Sequence, residues 1–159
     1  MKQIVSNEID KVNILLDEYL FNQVEIIPKL TSHILQSRGK QLRPLIALIM
    51  NRLLNNSDSE NLIYLATSIE LIHIATLVHD DVIDNGKYRR GQKTINFLWS
   101  DKHSILLGDY IFSKSFQLIT KSHSIEAMEN LSKASSKITE GEFIQLSFEQ
   151  NLDLGLENY

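Results

Sequence analysis

The chain predicts an all-α fold, on three observations. Only two prolines and six glycines interrupt its 159 residues. Apolar residues recur at a 3.6-residue period over long segments, which places them on one face of a helix. Hydrophobic residues make up 43% and charged residues 23%, the balance of a soluble globular protein with material for one core.

Each element follows from its own pattern. Residues 4–20 carry Val5, Ile9, Val12, Leu15, Leu16, Tyr19 and Leu20 as a stripe on one helix face. Pro28 is tolerated in a first turn, so a second helix begins there. Ser37-Arg38-Gly39-Lys40-Gln41 is a polar, glycine-containing connection. Arg43-Pro44 then opens an apolar helix running to residue 54, and Asn55-Asn56-Ser57-Asp58-Ser59 is a loop of cap-forming residues. Residues 62–84 are apolar on most sides until an acidic end, the pattern of a helix at the centre of a bundle. Asn85-Gly86 terminates that helix. Residues 89–93 read as a loop, residues 94–97 begin a short helix, and 103–120 and 125–148 are two further helices. Residues 151–159 carry only weak structural signals.

Bulk properties narrow the classes of function. A net charge of −4 argues against a nucleic-acid surface. The absence of cysteine removes disulfides and thiolate ligands and fits a cytoplasmic location. The N-terminus is polar and mixed, without the apolar core of a signal peptide. The longest uninterrupted apolar stretch, 44–50, falls short of the roughly 18 to 20 residues that cross a bilayer, so no transmembrane segment is expected.

The chemistry concentrates in His79-Asp80-Asp81-Val82-Ile83-Asp84, followed by Arg89-Arg90-Gly91. Carboxylates this close repel one another unless a cation lies between them. They also face the negative end of the helix dipole, which disfavours a merely structural acidic turn. Mg²⁺ suits such oxygen donors, because it takes one or two carboxylates and fills its shell with water and substrate phosphates. The arginines supply planar forks for the same phosphates. On the helical period His73, Leu77, Asp80 and Asp84 share a stripe, with Asp81 turned away by about 100°. Asp80 and Asp84 are thus the pair to share a metal, and Asp81 a flanking ligand or an outer partner. Lys40 and Arg43 flank a helix start, where free N–H groups attract anions. His73 has two readings, a hydrogen-bonded core residue or a ligand contact. His79 is expected to be structural or an outer partner of the acids, and His33, His103 and His123 receive no role.

Taken together, these segments resemble the trans-isoprenyl diphosphate synthases, the polyprenyl synthetase family. Gly39-Lys40-Gln41-Leu42-Arg43-Pro44 resembles its Gly-Lys-x-x-Arg-Pro motif, and the run from Glu70 to Asp84 its first aspartate-rich motif with the lead-in. Arg89-Arg90-Gly91, Gly108-Asp109-Tyr110 and Gly141-Glu142-Phe143-Ile144-Gln145-Leu146 also resemble family segments, in the family's order. The resemblance implies an isoprenoid synthase helical bundle. It implies that Asp80, Asp84 and Asp81 bind Mg²⁺ holding an allylic diphosphate, and that Arg89 contacts the same diphosphate. It further implies that Lys40, Arg43, His73 and Arg90 bind isopentenyl diphosphate, and that Gln145 faces the reacting ends. Small residues at Ala75 and Thr76, one turn before Asp80, imply an open cavity. The expected product is a long, octaprenyl-like, all-trans polyprenyl diphosphate for isoprenoid quinone side chains. Family members are usually homodimers.

One departure shapes the expectation for this chain. Asp80-Asp81 is the only adjacent aspartate pair in the sequence, whereas the family has a second aspartate-rich motif on a later helix, preceded by a lysine that contacts the allylic diphosphate. Residues 1–159 therefore correspond to the N-terminal half of one family domain. The wall opposite Asp80 is expected to be missing, a large apolar face along 62–78 to need another polypeptide, and condensation by the isolated chain to be weak or absent. An interrupted gene, a small subunit completed by a partner chain, and a portion of a longer enzyme all satisfy this pattern. A non-catalytic or complementing subunit of a heteromeric prenyl synthase is the main alternative function. A remoter one is a His-Asp metal phosphohydrolase, built on His79-Asp80 with His33, His73 or Asp109, but it leaves Lys40, Arg43, Arg89 and Arg90 unexplained.

Overall fold

Among the described residues, seven helices and one short hairpin follow one another along the chain. They are α1 (Ser6–Leu20), α2 (Ile26–Leu35), α3 (Leu42–Leu53), α4 (Glu60–Ile83), β1 (Tyr88–Arg89), β2 (Gln92–Lys93), α5 (Ile95–Leu98), α6 (Asp101–Lys121) and α7 (Ile125–Phe148). The computed structural model describes residues 5–54 and 60–148; the expected loop at 55–59 and the weak segment 151–159 lie outside them. The backbone divides into two compact units, Met1–His123 and Ser124–Tyr159. The second contributes α7, none of whose described residues is buried.

The all-α expectation holds, and most helices fall where the apolar period places them. On α1 the buried residues Ile9, Val12, Leu16 and Leu20 are the predicted stripe. Pro28 is the third residue of α2, within its first turn, where its missing N–H is no loss. The helix after the polar connection opens at Leu42, one residue before Arg43-Pro44. The predicted loop at 89–93 is instead a hairpin, with Tyr88 paired to Lys93 and Arg89 to Gln92. Its two turn residues, Arg90 and Gly91, have φ of 52° and 79°, the doubly positive geometry whose twist matches antiparallel strands.

Helix α4 lies at the centre of the first unit, packing most extensively on α6 and then on α3 and α1. Its buried residues include Ile63, Ala66, Leu71, Ile74, Ala75 and Val78. This corrects the expectation that 62–78 is left uncovered: α1, α3 and α6 already cover it. The exposed apolar stripe runs along α3 instead, through Leu42, Ile46, Met50 and Leu53. A second correction concerns length. By length and composition α4 is apolar enough to cross a membrane, although Ser68, Glu70 and His73 break its uninterrupted apolar run, and more than half of its apolar stretch is buried, as befits the central helix of a bundle.

Candidate functional site

The acidic turn is shaped by the way α4 stops. The amides of Asn85 and Gly86 donate to the carbonyls of Val82 and Asp81, at 3.2 and 2.9 Å. This is a Schellman ending with Asn85, not Gly86, as the left-handed residue, at φ 52°. Asn96 Nδ2 donates to the carbonyls of Asp81 (3.0 Å) and Gly86 (3.1 Å), and Thr94 Oγ1 to that of Gly86 (2.7 Å). Carbonyls left over at the helix end are thus satisfied by the segment that leaves the hairpin, which brings Arg89 back to Asp81.

Arg89 Nε donates to Asp81 Oδ1 at 2.8 Å, and the Asp81 side chain is 13% exposed. Burial pushes the Asp81 carboxyl up from its ordinary range; the Arg89 bond opposes that, and the nearby Asp84 charge adds to it. Asp81 also lines a cleft with Glu70, His73 and Arg90. Angular arithmetic grouped His73 with Asp80 and Asp84, but the face that meets the hairpin and α2 is centred further round α4 and takes in Asp81. Among the described residues no three His, Cys, Asp or Glu side chains converge to hold a metal unaided. Mg²⁺ needs only one or two carboxylates when phosphate and water complete its shell. Three carboxylates on one turn, with Asp84 felt at Asp81, suit that demand.

Beside the acidic turn lies a second cavity, of about 360 Å³, lined by Gly39, Lys40, Gln41, Arg43, Glu70, His73 and Arg90. All four residues grouped from the sequence on isopentenyl diphosphate therefore surround one space. Lys40 comes from the connection before α3, Arg43 from the first turn of α3, His73 from α4 and Arg90 from the hairpin turn. Gly39, at φ +68°, lets the guanidinium lie on its backbone: a Cβ there would stand 1.7 Å from Arg90 Nη1. That Nη1 donates to the Ser37 carbonyl at 3.0 Å. Burial, and then the charges of Arg43, Arg90 and Arg89, pull His73 down to about 4, so it is neutral at pH 7 and acts as a hydrogen-bonding group.

Several contributors escaped the sequence. Glu70 is buried at 4% exposure between Arg43 and Arg90, and an acid three residues before His73 on one helix face was the available signal. Asn13 Oδ1 accepts from Gln41 Nε2 (2.8 Å) and Arg38 Nη1 (3.0 Å), pinning the connection to α1. His33 Nε2 donates to the Lys93 carbonyl at 2.7 Å and its ring meets Trp99 edge-on, so it anchors the hairpin. His79 is structural, as expected, with Nε2 3.2 Å from the Ile105 carbonyl. Ala75 is 1% exposed within the core, whereas Thr76 is partly open. Gln145 is exposed on α7, in the second unit.

A family model described as polyprenyl synthetase matches residues 24–159. The chain is 35% identical to octaprenyl diphosphate synthase of Escherichia coli (strain K12) over its full length, covering 49% of that enzyme. It superimposes with a TM-score of 0.93 on decaprenyl diphosphate synthase from Rhodobacter capsulatus, at 40% identity, covering 99% of this chain and 49% of that one. A polyprenyl synthase from Caulobacter crescentus, solved with calcium and isoprenyl diphosphate, gives the same score at 36% identity, covering 99% and 48%. The chain thus spans about half the length of the relatives it matches. With the acidic turn, the paired arginines and the Lys40–Arg43 connection set in one such fold, the chain belongs to the polyprenyl synthetase family.

Proposed function

We propose that this chain carries the diphosphate-holding part of a prenyl-transfer site that joins isopentenyl diphosphate to an allylic diphosphate. The observation that carries this reading is the convergence of Lys40, Arg43, His73 and Arg90 around one cavity beside the acidic turn. In it, the cavity takes the diphosphate of isopentenyl diphosphate: Lys40 and the two guanidinium groups balance its charge, and neutral His73 hydrogen-bonds to it. Asp80 and Asp84, with Asp81 on the flank, would hold Mg²⁺, which would supply charge stabilisation to the departing pyrophosphate of the allylic substrate. Arg89 moves between Asp81, its partner in this structure, and that pyrophosphate. The allylic C–O bond breaks, the isopentenyl double bond attacks the resulting cation, and a proton leaves the new chain. Apolar walls along α4 exclude water from the cation. The small, partly open Thr76 suits a long-chain product. The wall facing Asp80 comes from polypeptide outside the described residues, in keeping with relatives about twice as long.

Calorimetric titration with isopentenyl diphosphate tests the cavity. Arg43→Ala and Arg90→Ala are each expected to weaken binding tenfold or more, about 1.5–3 kcal/mol for a lost charge-assisted hydrogen bond. Lys102→Ala, on the exposed start of α6, leaves affinity unchanged. Equal affinity in all three variants would rule the cavity out as the binding site.

A further inference from the structure

Glu70 lies on α4 one turn before His73, and its side chain belongs to both clefts. Its Oε2 atom is buried without a hydrogen-bond partner. An unsatisfied buried oxygen costs about 1–3 kcal/mol, and more if charged. The charged and titratable groups around it come from every neighbouring element. His73 shares its helix one turn on, and Asp81 lies about three turns along the same helix, roughly 16 Å away. Lys40 and Arg43 approach from the connection and α3, Arg89, Arg90 and Lys93 from the hairpin, and His33 and Arg38 from the end of α2. Burial pushes the Glu70 carboxyl up from its ordinary range, and the charges of Arg43 and Arg90 resist that rise.

The two opposing influences do not survive the arrival of an anion unchanged. A diphosphate in the cavity takes over Arg43 and Arg90 as its own counter-ions and brings further negative charge next to the carboxylate. Both changes favour the neutral acid. We propose that Glu70 is a proton-accepting residue of this pocket: its carboxylate takes one proton from solvent as a diphosphate binds, and presents to the anion an O–H donor in place of a repelling charge. An O–H bond forms on Glu70, the proton comes from bulk water, and no bond of the diphosphate breaks. This rests on the cavity being the diphosphate site.

The test is calorimetry of the full chain with inorganic diphosphate, without metal, near neutral pH, in buffers of differing ionisation enthalpy. The wild-type protein is expected to take up about one proton more per bound diphosphate than Glu70→Gln, whose amide imitates the neutral acid. Infrared difference spectra of the wild-type protein should gain the C=O stretch of a protonated carboxylic acid on binding. That band shifts with ¹³C-glutamate labelling and requires no variant, so it decides the matter if Glu70→Gln fails to fold. Diphosphate binding with equal proton uptake in both proteins, or with no acid band, overturns the proposal and leaves the cavity intact. No binding by the wild-type protein overturns the cavity reading, and this proposal with it.

Discussion

Gly39 shows how a single position can set the site. Its φ of +68° is a left-handed conformation that a side chain pays about 1–2 kcal/mol to adopt. The space a Cβ would need is filled by Arg90 Nη1, 1.7 Å away. Gly39→Ala therefore strains the connection and drives the guanidinium off the Ser37 carbonyl. The expected result is a stability loss of about 1–3 kcal/mol in urea unfolding. Diphosphate affinity in calorimetry should fall about tenfold, the worth of one displaced charged contact. An alanine variant that binds like wild type would refute the idea that Gly39 places Arg90. The sequence showed Gly39, Lys40 and Arg43 as one motif and Arg90 as part of another. Their contact was not legible, because it exists only once α2, the connection and the hairpin have packed. Glu70 was harder still: its spacing to His73 puts both on one helix face, but the arginines that meet it come from other elements.

At the scale of elements, the contact between α4 and α6 rests on a second glycine. Gly108 is buried in mid-helix, and a Cβ there would lie 2.1 Å from His79 Nε2. Alanine for glycine gains about 1 kcal/mol of helix propensity. Displacing the His79 ring from the Ile105 carbonyl loses a hydrogen bond of about 0.5–1.5 kcal/mol together with its packing. The two effects nearly cancel, so Gly108→Ala alone should leave stability close to wild type. In a His79→Ala background the clash is gone, and the same change should stabilise by about 1 kcal/mol. Chemical denaturation of the four proteins of this cycle measures the coupling, and zero coupling would mean that the ring and the glycine do not meet. The longer helices were legible because each carries several turns of apolar period. The hairpin was not: strands of two residues show no alternation. An arginine at its turn also hides the usual Asn-Gly signal. The stripe on α4 was legible in its period but not in its centre, since the period says which residues share a face and only the neighbours decide which face meets them.

The whole molecule separates in a way composition could not show. Among the described residues, every buried hydrophobic residue of the core lies within the first unit, between Val5 and Ile119. Lys40, Arg43, Glu70, His73, Asp81, Arg89 and Arg90 lie there too. Their supports, Asn13, Ser37, His33 and Asn96, belong to the same unit. A polypeptide ending at His123 therefore keeps the apolar burial that drives folding and the residues proposed to hold the anion. It should show cooperative urea unfolding and bind inorganic diphosphate within about threefold of the full chain, a difference under about 0.7 kcal/mol. Prenyl transfer makes a different demand. In the proposed reaction the allylic cation must be walled from water on every side, so the same fragment should bind diphosphate without condensing substrates. Titration and a condensation assay on the 1–123 polypeptide separate the two properties. A fragment that folds yet binds tenfold more weakly would show that residues beyond His123 help to build the anion site. Condensation by the fragment would show that the cation is protected within the first unit alone.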